Sequence, residues 1–381
     1  MADPSARVTA TFADEEGLED IVEEPDEMVE KWAAEVEDAI TALRRCEAGE
    51  GVPAVAASCL EGEVVVLETA TGNVIHELDG HKGGTLCLGV GKDPTRLASG
   101  GEDGRIKVWD LNTGSLLSST DCFQEGDRRK GSVEIIACCS SSDRFAAAYG
   151  KDVWIVSFAG DEPAMRLESL STSVAALALS TAMTVHVATD GKLHLYEDMG
   201  KGKISYLEMD HVMNTLSVDP TGKWVVAGCL DKLVHVWNME SGESFQIKGI
   251  SSKVKICAFD PPGEKMVCNS GPAALVWPVD GEGPAGRVPC YLHAHESSLE
   301  AASWGPGGTG LLATGGAEGL TIVWDAKESR ATNMPNGTRG PDVLAVVGVA
   351  EHDDAVMVLE WVDSSSIVAG YESGAIVCWG M

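Results

Sequence analysis

The sequence predicts an all-β chain of eight similar units, each built from four short antiparallel strands. Three observations carry this expectation. First, the segment RIKVWDLNTG at residues 105–114 recurs as LVHVWNMESG at 233–242, LTIVWDAKES at 320–329 and AIVCWGM at 375–381. Weaker echoes are EVVVLETATG at 63–72, DVWIVSFAG at 152–160, KLHLYEDMG at 192–200 and AALVWPVDG at 273–281. Second, each is preceded by two more apolar runs, such as TLCLGV and RLASGG, and usually followed by a fourth, such as VIHEL or SFQIK. Third, the runs are short and divided by Gly, Asp and Ser, which are strand and turn signals. Aligning the recurring aromatic position picks out Leu67, Trp109, Val156, Tyr196, Trp237, Trp277, Trp324 and Trp379, about 40 to 55 residues apart, the period of stacked supersecondary repeats. One such unit cannot bury its apolar face alone, so neighbours must stack.

This pattern resembles the WD-repeat (WD40) family of β-propellers, and the resemblance covers nearly all of residues 28–381. It implies an eight-bladed propeller, with seven blades as the alternative count, in which each unit is one four-stranded blade. In that family a histidine before the first strand, a Ser or Thr in the second, an Asp in the tight turn and a Trp in the third form a buried hydrogen-bonded group. The resemblance assigns one complete group to His81, Ser99, Asp103 and Trp109, and a second, with Glu for Asp, to His295, Thr314, Glu318 and Trp324. Around Trp237 it finds His211 and Asp231, but Ala227 in the hydroxyl position. Around Trp379, His352 is present while Ala369 and Ser373 break the chain, and the units at Leu67, Val156 and Tyr196 lack the tryptophan. Such a group stabilises, each hydrogen bond contributing about 0.5–1.5 kcal/mol net. It is not a hydrolase triad, and no G-x-S-x-G elbow accompanies it.

Ahead of the repeats, residues 1–27 are expected to form an acidic, disordered tail, because DEEGLEDIVEEPDE at 14–27 repels itself and lacks aromatic residues. Residues 26–46 are ambiguous. Met28, Val29, Trp32, Val36, Ala39, Ile40 and Leu43 fall at helical spacing, and Pro25 with Arg44 and Arg45 supplies end signals. Yet the first unit otherwise has no first strand and the last no fourth, which would leave unpaired backbone at two edges. We therefore expect residues 28–35 to be the last unit's fourth strand, closing the propeller, and residues 36–46 to be the first unit's first strand. A helix packed across the junction is the alternative.

Composition narrows the function. The net charge of −31, from 28 basic and 59 acidic side chains, repels the phosphate backbone that dominates nucleic-acid affinity. No apolar run is long enough to span a bilayer. Eleven cysteines without a C-x-x-C pair, most inside apolar runs, fit free thiols in a reducing compartment, so a cytoplasmic location is expected, with the nucleus as alternative. The pair His293 and His295 has metal-like spacing, but His295 belongs to a hydrogen-bonded group and no third ligand follows. GVGKDP at 89–94 and GPGGTG at 305–310 lack the G-K-[ST] ending of a phosphate loop, and Cys138 and Cys139 read as strand positions. No cofactor, metal or reaction is expected.

What remains is a non-catalytic platform for protein partners, a subunit or adaptor of a larger complex. An enzyme or metal-binding propeller using a central funnel is the alternative. Candidate partner-binding residues are Arg128, Arg129 and Lys130 in DRRKG, the densest basic cluster, and Tyr371 and Glu372 in the turn GYESG, where a tyrosine would suit a contact hot spot. Two insertions, at 278–289 and 325–342, are expected to be long loops.

Overall fold

A computed structural model describes residues 7–9, 26–123, 131–333 and 339–381. Among them, strands account for nearly all regular structure, and no helix is long and apolar enough to cross a membrane. The chain divides into two compact units, one comprising residues 30–210 and 366–379 and the other residues 1–29, 211–365 and 380–381.

In the first unit, strands Ile40–Ala48, Val52–Cys59, Val64–Glu68 and Val74–Leu78 form one four-stranded antiparallel sheet in chain order. Thr85–Val90, Arg96–Gly101, Arg105–Asp110 and Ser115–Asp121 form the next. Val133–Ala137, Arg144–Tyr149, Asp152–Ser157 and Met165–Arg166 form a third. Ala176–Leu179 pairs with Val185–Tyr196, whose neighbour is Ile204–Val218. The sheets pack through small and branched side chains. Ala42, Ala56, Val64 and Val66 of the first sheet share a core with Leu88, Leu97 and Trp109 of the second, and Ala98, Ile106 and Val108 share another with Val133, Phe145 and Val156 of the third. Each buried Val, Leu or Ile contributes about 1.5–3 kcal/mol, and the alanines let the layers approach closely.

Residues 29–35 and 40–46 are in strands, so the second begins at Ile40 rather than at Val36. Val29–Glu35 lies beside Ala375–Gly380, which lies beside Ser366–Tyr371, and the amide of Val36 donates to the carbonyl of Gly374 at 3.0 Å. Trp32 is buried between exposed Lys31 and Ala33, the two-residue period of a strand, and Ile40–Ala48 begins the first sheet.

In the second unit, the later part of Ile204–Val218 pairs with Trp224–Cys229, followed by Val234–Asn238 and Ser244–Lys248. Cys257–Phe259, Lys265–Ser270, Ala273–Pro278 and Cys290–Leu292 come next, then Leu299–Trp304, Leu311–Gly316, Leu320–Asn333 and Arg339–Glu351. These last two sets join through one parallel bridge, Cys290 to Asp342, giving an eight-stranded sheet. The segment 325–342, expected as a loop, instead prolongs the hairpin: Ser329 pairs with Leu344, Ala331 with Asp342 and Asn333 with Arg339, with residues 334–338 outside the described residues. The insertion at 278–289 lies outside the strands except for Pro278, which ends Ala273–Pro278, and Gly283 sits against the ring of Trp224. Val356–Trp361 follows, with the indole of Trp361 donating to the carbonyl of Ser303 at 3.0 Å. Of the expected tail, residues 10–25 lie outside the described residues, while Arg7–Thr9 runs parallel to Ser244–Lys248.

The eight aligned positions Leu67, Trp109, Val156, Tyr196, Trp237, Trp277, Trp324 and Trp379 are all buried, each in its set's third strand or the matching arm of a longer one.

Candidate functional site: buried hydrogen-bonded groups

In the sheet of residues 85–121, His81 precedes the first strand, Ser99 lies in the second and Trp109 in the third. Asp103 holds the turn between the last two. His81 Nδ1 donates to Asp103 Oδ1 at 2.8 Å, Ser99 Oγ donates to His81 Nε2 at 2.8 Å, and Trp109 Nε1 donates to Ser99 Oγ at 3.0 Å. Asp103 Oδ1 also accepts from the amide of Arg105, which fixes the turn. Every donor meets one acceptor only if the imidazole is neutral with its proton on Nδ1. Burial holds His81 below the ordinary histidine range against the opposing pull of Asp103, consistent with that tautomer.

The second set is the same with longer side chains. His295 Nδ1 donates to Glu318 Oε1 at 2.5 Å, Thr314 Oγ1 to His295 Nε2 at 2.8 Å and Trp324 Nε1 to Thr314 Oγ1 at 2.9 Å. The other Glu318 oxygen accepts from the amide of Ser297, and burial again lowers the histidine.

A feature not weighed in the sequence separates these two groups from the rest: the residue ending the second strand. It is Gly101 in one and Gly316 in the other. A Cβ on Gly101 would lie 2.3 Å from His81 Cβ, and one on Gly316 would lie 2.2 Å from Glu318 Oε1. A side chain there therefore collides with the group itself, with the histidine in the first and with the carboxylate that holds the histidine in the second. The strand Trp224–Cys229 ends in Cys229; His211 still donates to Asp231, but remains 23% exposed. With Ala227 in place of a hydroxyl, the neighbouring His235 is buried and neither of its ring nitrogens has a hydrogen-bond partner among the described residues.

Tyr371 corrects an expectation. It ends Ser366–Tyr371, the position of Gly101, and is 0% exposed rather than presented on a rim. Its hydroxyl accepts from Trp379 Nε1 at 2.9 Å, so it supplies the oxygen that Ala369 cannot. His352 has a different role, its Nδ1 accepting from the amide of Asp354 at 3.1 Å. In Lys265–Ser270, Cys268 stands where Ser99 does and faces Trp277, with burial pushing its thiol up to about 12. The next residue, Asn269, pins the preceding loop, its Oδ1 accepting from the amides of Lys255 and Ile256 and its Nδ2 donating to Ser252 and to the carbonyl of Lys253. The string VCNSG carries the signal for both roles, but only against a known backbone register.

Of the remaining candidates, Glu372 is exposed, and Arg128, Arg129 and Lys130 lie outside the described residues. His293 is exposed and stacks on Tyr291, away from any paired ligand role with His295. Cys138 and Cys139 fall just past strand Val133–Ala137 instead of within it, and burial pushes Cys138 up to about 12. All eleven cysteines are free thiols. Among the described residues, no group of three or more His, Cys, Asp or Glu side chains is placed to hold a metal ion.

Four-stranded antiparallel sheets recur along the chain, and the His–Ser/Thr–Trp groups recur at fixed places within them. A family model described as WD domain, G-beta repeat matches residues 72–110, which contain the whole His81 group, and residues 207–238. WD repeats are therefore present in the chain at these two segments. The chain is 24% identical over 177 residues to the ribosome biogenesis protein WDR12 homolog of Drosophila persimilis, covering 43% of this chain and 41% of that protein. It is also 24% identical over 213 residues to the eukaryotic translation initiation factor 3 subunit I of Culex quinquefasciatus, covering 52% of this chain and 64% of that protein. The chain thus spans less than two thirds of the length of either. Among solved structures, the computationally designed Ika8 protein matches with a TM-score of 0.70 at 20% identity, over 91% of this chain and 98% of that one, a likeness of fold alone.

Proposed function

We propose that this protein is a non-catalytic scaffold for protein assembly, an eight-bladed WD-repeat propeller over residues 28–381 in which Val29–Glu35 closes the last blade. The eight buried third-strand positions support this blade count. It divides the two larger sheets at the continuous strand Ile204–Val218 and at the lone Cys290 to Asp342 bridge. Carrying the functional reading is the use made of the polar chemistry. The histidine, hydroxyl and carboxylate groups that could imitate an active site are buried and mutually satisfied with an indole as the last donor, so they hold turns and strands together. The names of two relatives, a ribosome biogenesis protein and a subunit of an initiation factor, support work within an assembly.

Proteins are the proposed partners, since a charge of −31 opposes direct phosphate contact, and eleven free thiols suit the cytoplasm or nucleus. Arg128, Arg129 and Lys130 are the proposed docking cluster for an acidic partner surface, with exposed Glu372 a further candidate. To test this, Arg128, Arg129 and Lys130 are changed together to Glu and the tagged protein is recovered from native extract at low and high salt. The expected result is loss of a stoichiometric partner that Asp103→Ala retains below its melting range. An unchanged set of co-purifying proteins would refute the assignment of the cluster, and a chain that runs as a lone monomer in extract would refute the scaffold reading.

A further inference from the structure

An outer strand with an open edge presents unpaired N–H and C=O groups, and proteins ordinarily blunt such edges with bulges, short strands or covering segments. Most outer strands here are blunted. Val74–Leu78, Ser115–Asp121 and Arg339–Glu351 each carry a register shift against their inner neighbours. Met165–Arg166 has two residues, and Cys290–Leu292 has three and is covered by the long hairpin at Asp342. Ser244–Lys248 differs: its five residues follow Val234–Trp237 in unbroken register, from Val234 opposite Ile247 to Trp237 opposite Ser244. Its inward side chains, Phe245 and Ile247, are buried, so the strand is held firmly while its far edge stays available.

On that edge lies the chain's own segment Arg7–Thr9, parallel, with Arg7 opposite Gln246, Val8 opposite Ile247 and Thr9 opposite Lys248. The local sequence suits the role: in RVTATF at residues 7–12, Val8, Ala10 and Phe12 alternate with Arg7, Thr9 and Thr11, the period of a strand. A ladder of three residues is short, so such a cis strand yields readily to a longer competitor. We propose that the edge of Ser244–Lys248 is a strand-addition site for an extended segment of a protein partner. That segment alternates β-branched or aromatic residues with small or polar ones, and Arg7–Thr9 occupies the site until it is displaced. Main-chain hydrogen bonds supply the affinity in this mode and alternate side chains the selectivity.

The test uses the full chain carrying Val8→Pro and Thr9→Pro, which remove the one ladder donor these two adjacent residues supply and fix φ against the extended pairing. Its probe is a synthetic peptide of residues 5–13, SARVTATFA. Hydrogen exchange read by mass spectrometry should show residues 244–248 exchanging several-fold faster in the variant, with the other strands unchanged. Peptide at millimolar concentration should restore protection there in the variant and add none in the wild type, because the tethered segment already holds the edge at an effective concentration of about millimolar. Equal exchange of residues 244–248 in the two proteins, or a peptide that protects some other surface or none, would overturn the proposal. The scaffold reading is tested by co-purification and survives that failure.

Discussion

Replacing His235 by Phe removes the least satisfied polar group in the described core. His235 is 8% exposed, and its ring stacks on Trp237 with centroids 4.3 Å apart and planes 14° from parallel. Its cross-strand neighbours are Ala227 and Gln246, and the titratable side chain acting on it is His211, itself hydrogen-bonded to Asp231. Burial first, and His211 second, hold His235 at about 4, against an ordinary value of 6.5. Below the unfolded value the unfolded chain takes up a proton that the native site refuses. The stability contributed by the neutral ring is therefore complete above that value and is lost as pH falls toward the native one. Linkage puts the loss at about 2 kcal/mol by about pH 5 and about 3 kcal/mol by about pH 4. In His235→Phe the stack is kept and this loss disappears. At about pH 7.5, relief of unsatisfied nitrogens outweighs the strain of a slightly larger ring, for a net gain of about 1 kcal/mol. Urea unfolding of both proteins at the two pH values measures the difference directly. His81, His186 and His295, also held low by burial, cancel between them. An advantage for Phe that is the same near pH 7.5 and near pH 5 would refute the argument.

Four further outcomes are expected. Gly101→Ala should expel the imidazole of His81 and cost about 1–3 kcal/mol or more in denaturant unfolding, with an indole fluorescence change from Trp109, since the new Cβ falls on His81. Asp103→Ala should cost about 1–3 kcal/mol while Ser373→Ala, at an exposed turn, changes thermal stability little; equal melting midpoints would contradict the assigned roles. Tyr371→Phe keeps the ring but strands the indole N–H of Trp379, so it should destabilise by about 1–3 kcal/mol, and an isoenergetic variant would show that the hydroxyl does nothing. Deleting residues 1–26 removes only the three-residue ladder of Arg7–Thr9 and should leave the melting curve nearly unchanged, whereas deleting residues 1–35 also strips Val29–Glu35 from Ala375–Gly380 and should cause far more aggregation, measured by light scattering.

Where local patterns misled, the physical reason is specific. Met28, Trp32 and Ile40 are spaced by four and eight residues, which fits one face of a helix and equally one face of a strand. Backbone pairing decided the matter, and the partner, Ala375–Gly380, is over 300 positions away in sequence. The hairpin at 325–342 read as a loop because Pro, Gly and Asn interrupt it, yet its two arms pair with each other, and Asp342 of the second arm bridges to Cys290 on the neighbouring strand's edge. The orphaned nitrogens of His235 were invisible because a histidine in an apolar strand looks alike whether or not a partner faces it.

The sequence by itself determined the all-β class, the recurrence of the units and the positions of their buried third-strand residues, while its resemblance to WD repeats pointed to both complete hydrogen-bonded groups. Each of these repeats within a short window, at spacings that a strand, a tight turn and a second strand impose. The tertiary structure alone decided which way the second-strand residues face and what fills the place beside them. Ser366–Tyr371 and Trp224–Cys229 are buried at every position, so no polar alternation marks an inner face, and Tyr371 in GYESG passes for an exposed turn residue. Whether that place holds an imidazole, a tyrosine hydroxyl or a thiol depends on a few ångströms of space beside Gly101, Tyr371 or Cys229, a volume set by packing between sheets.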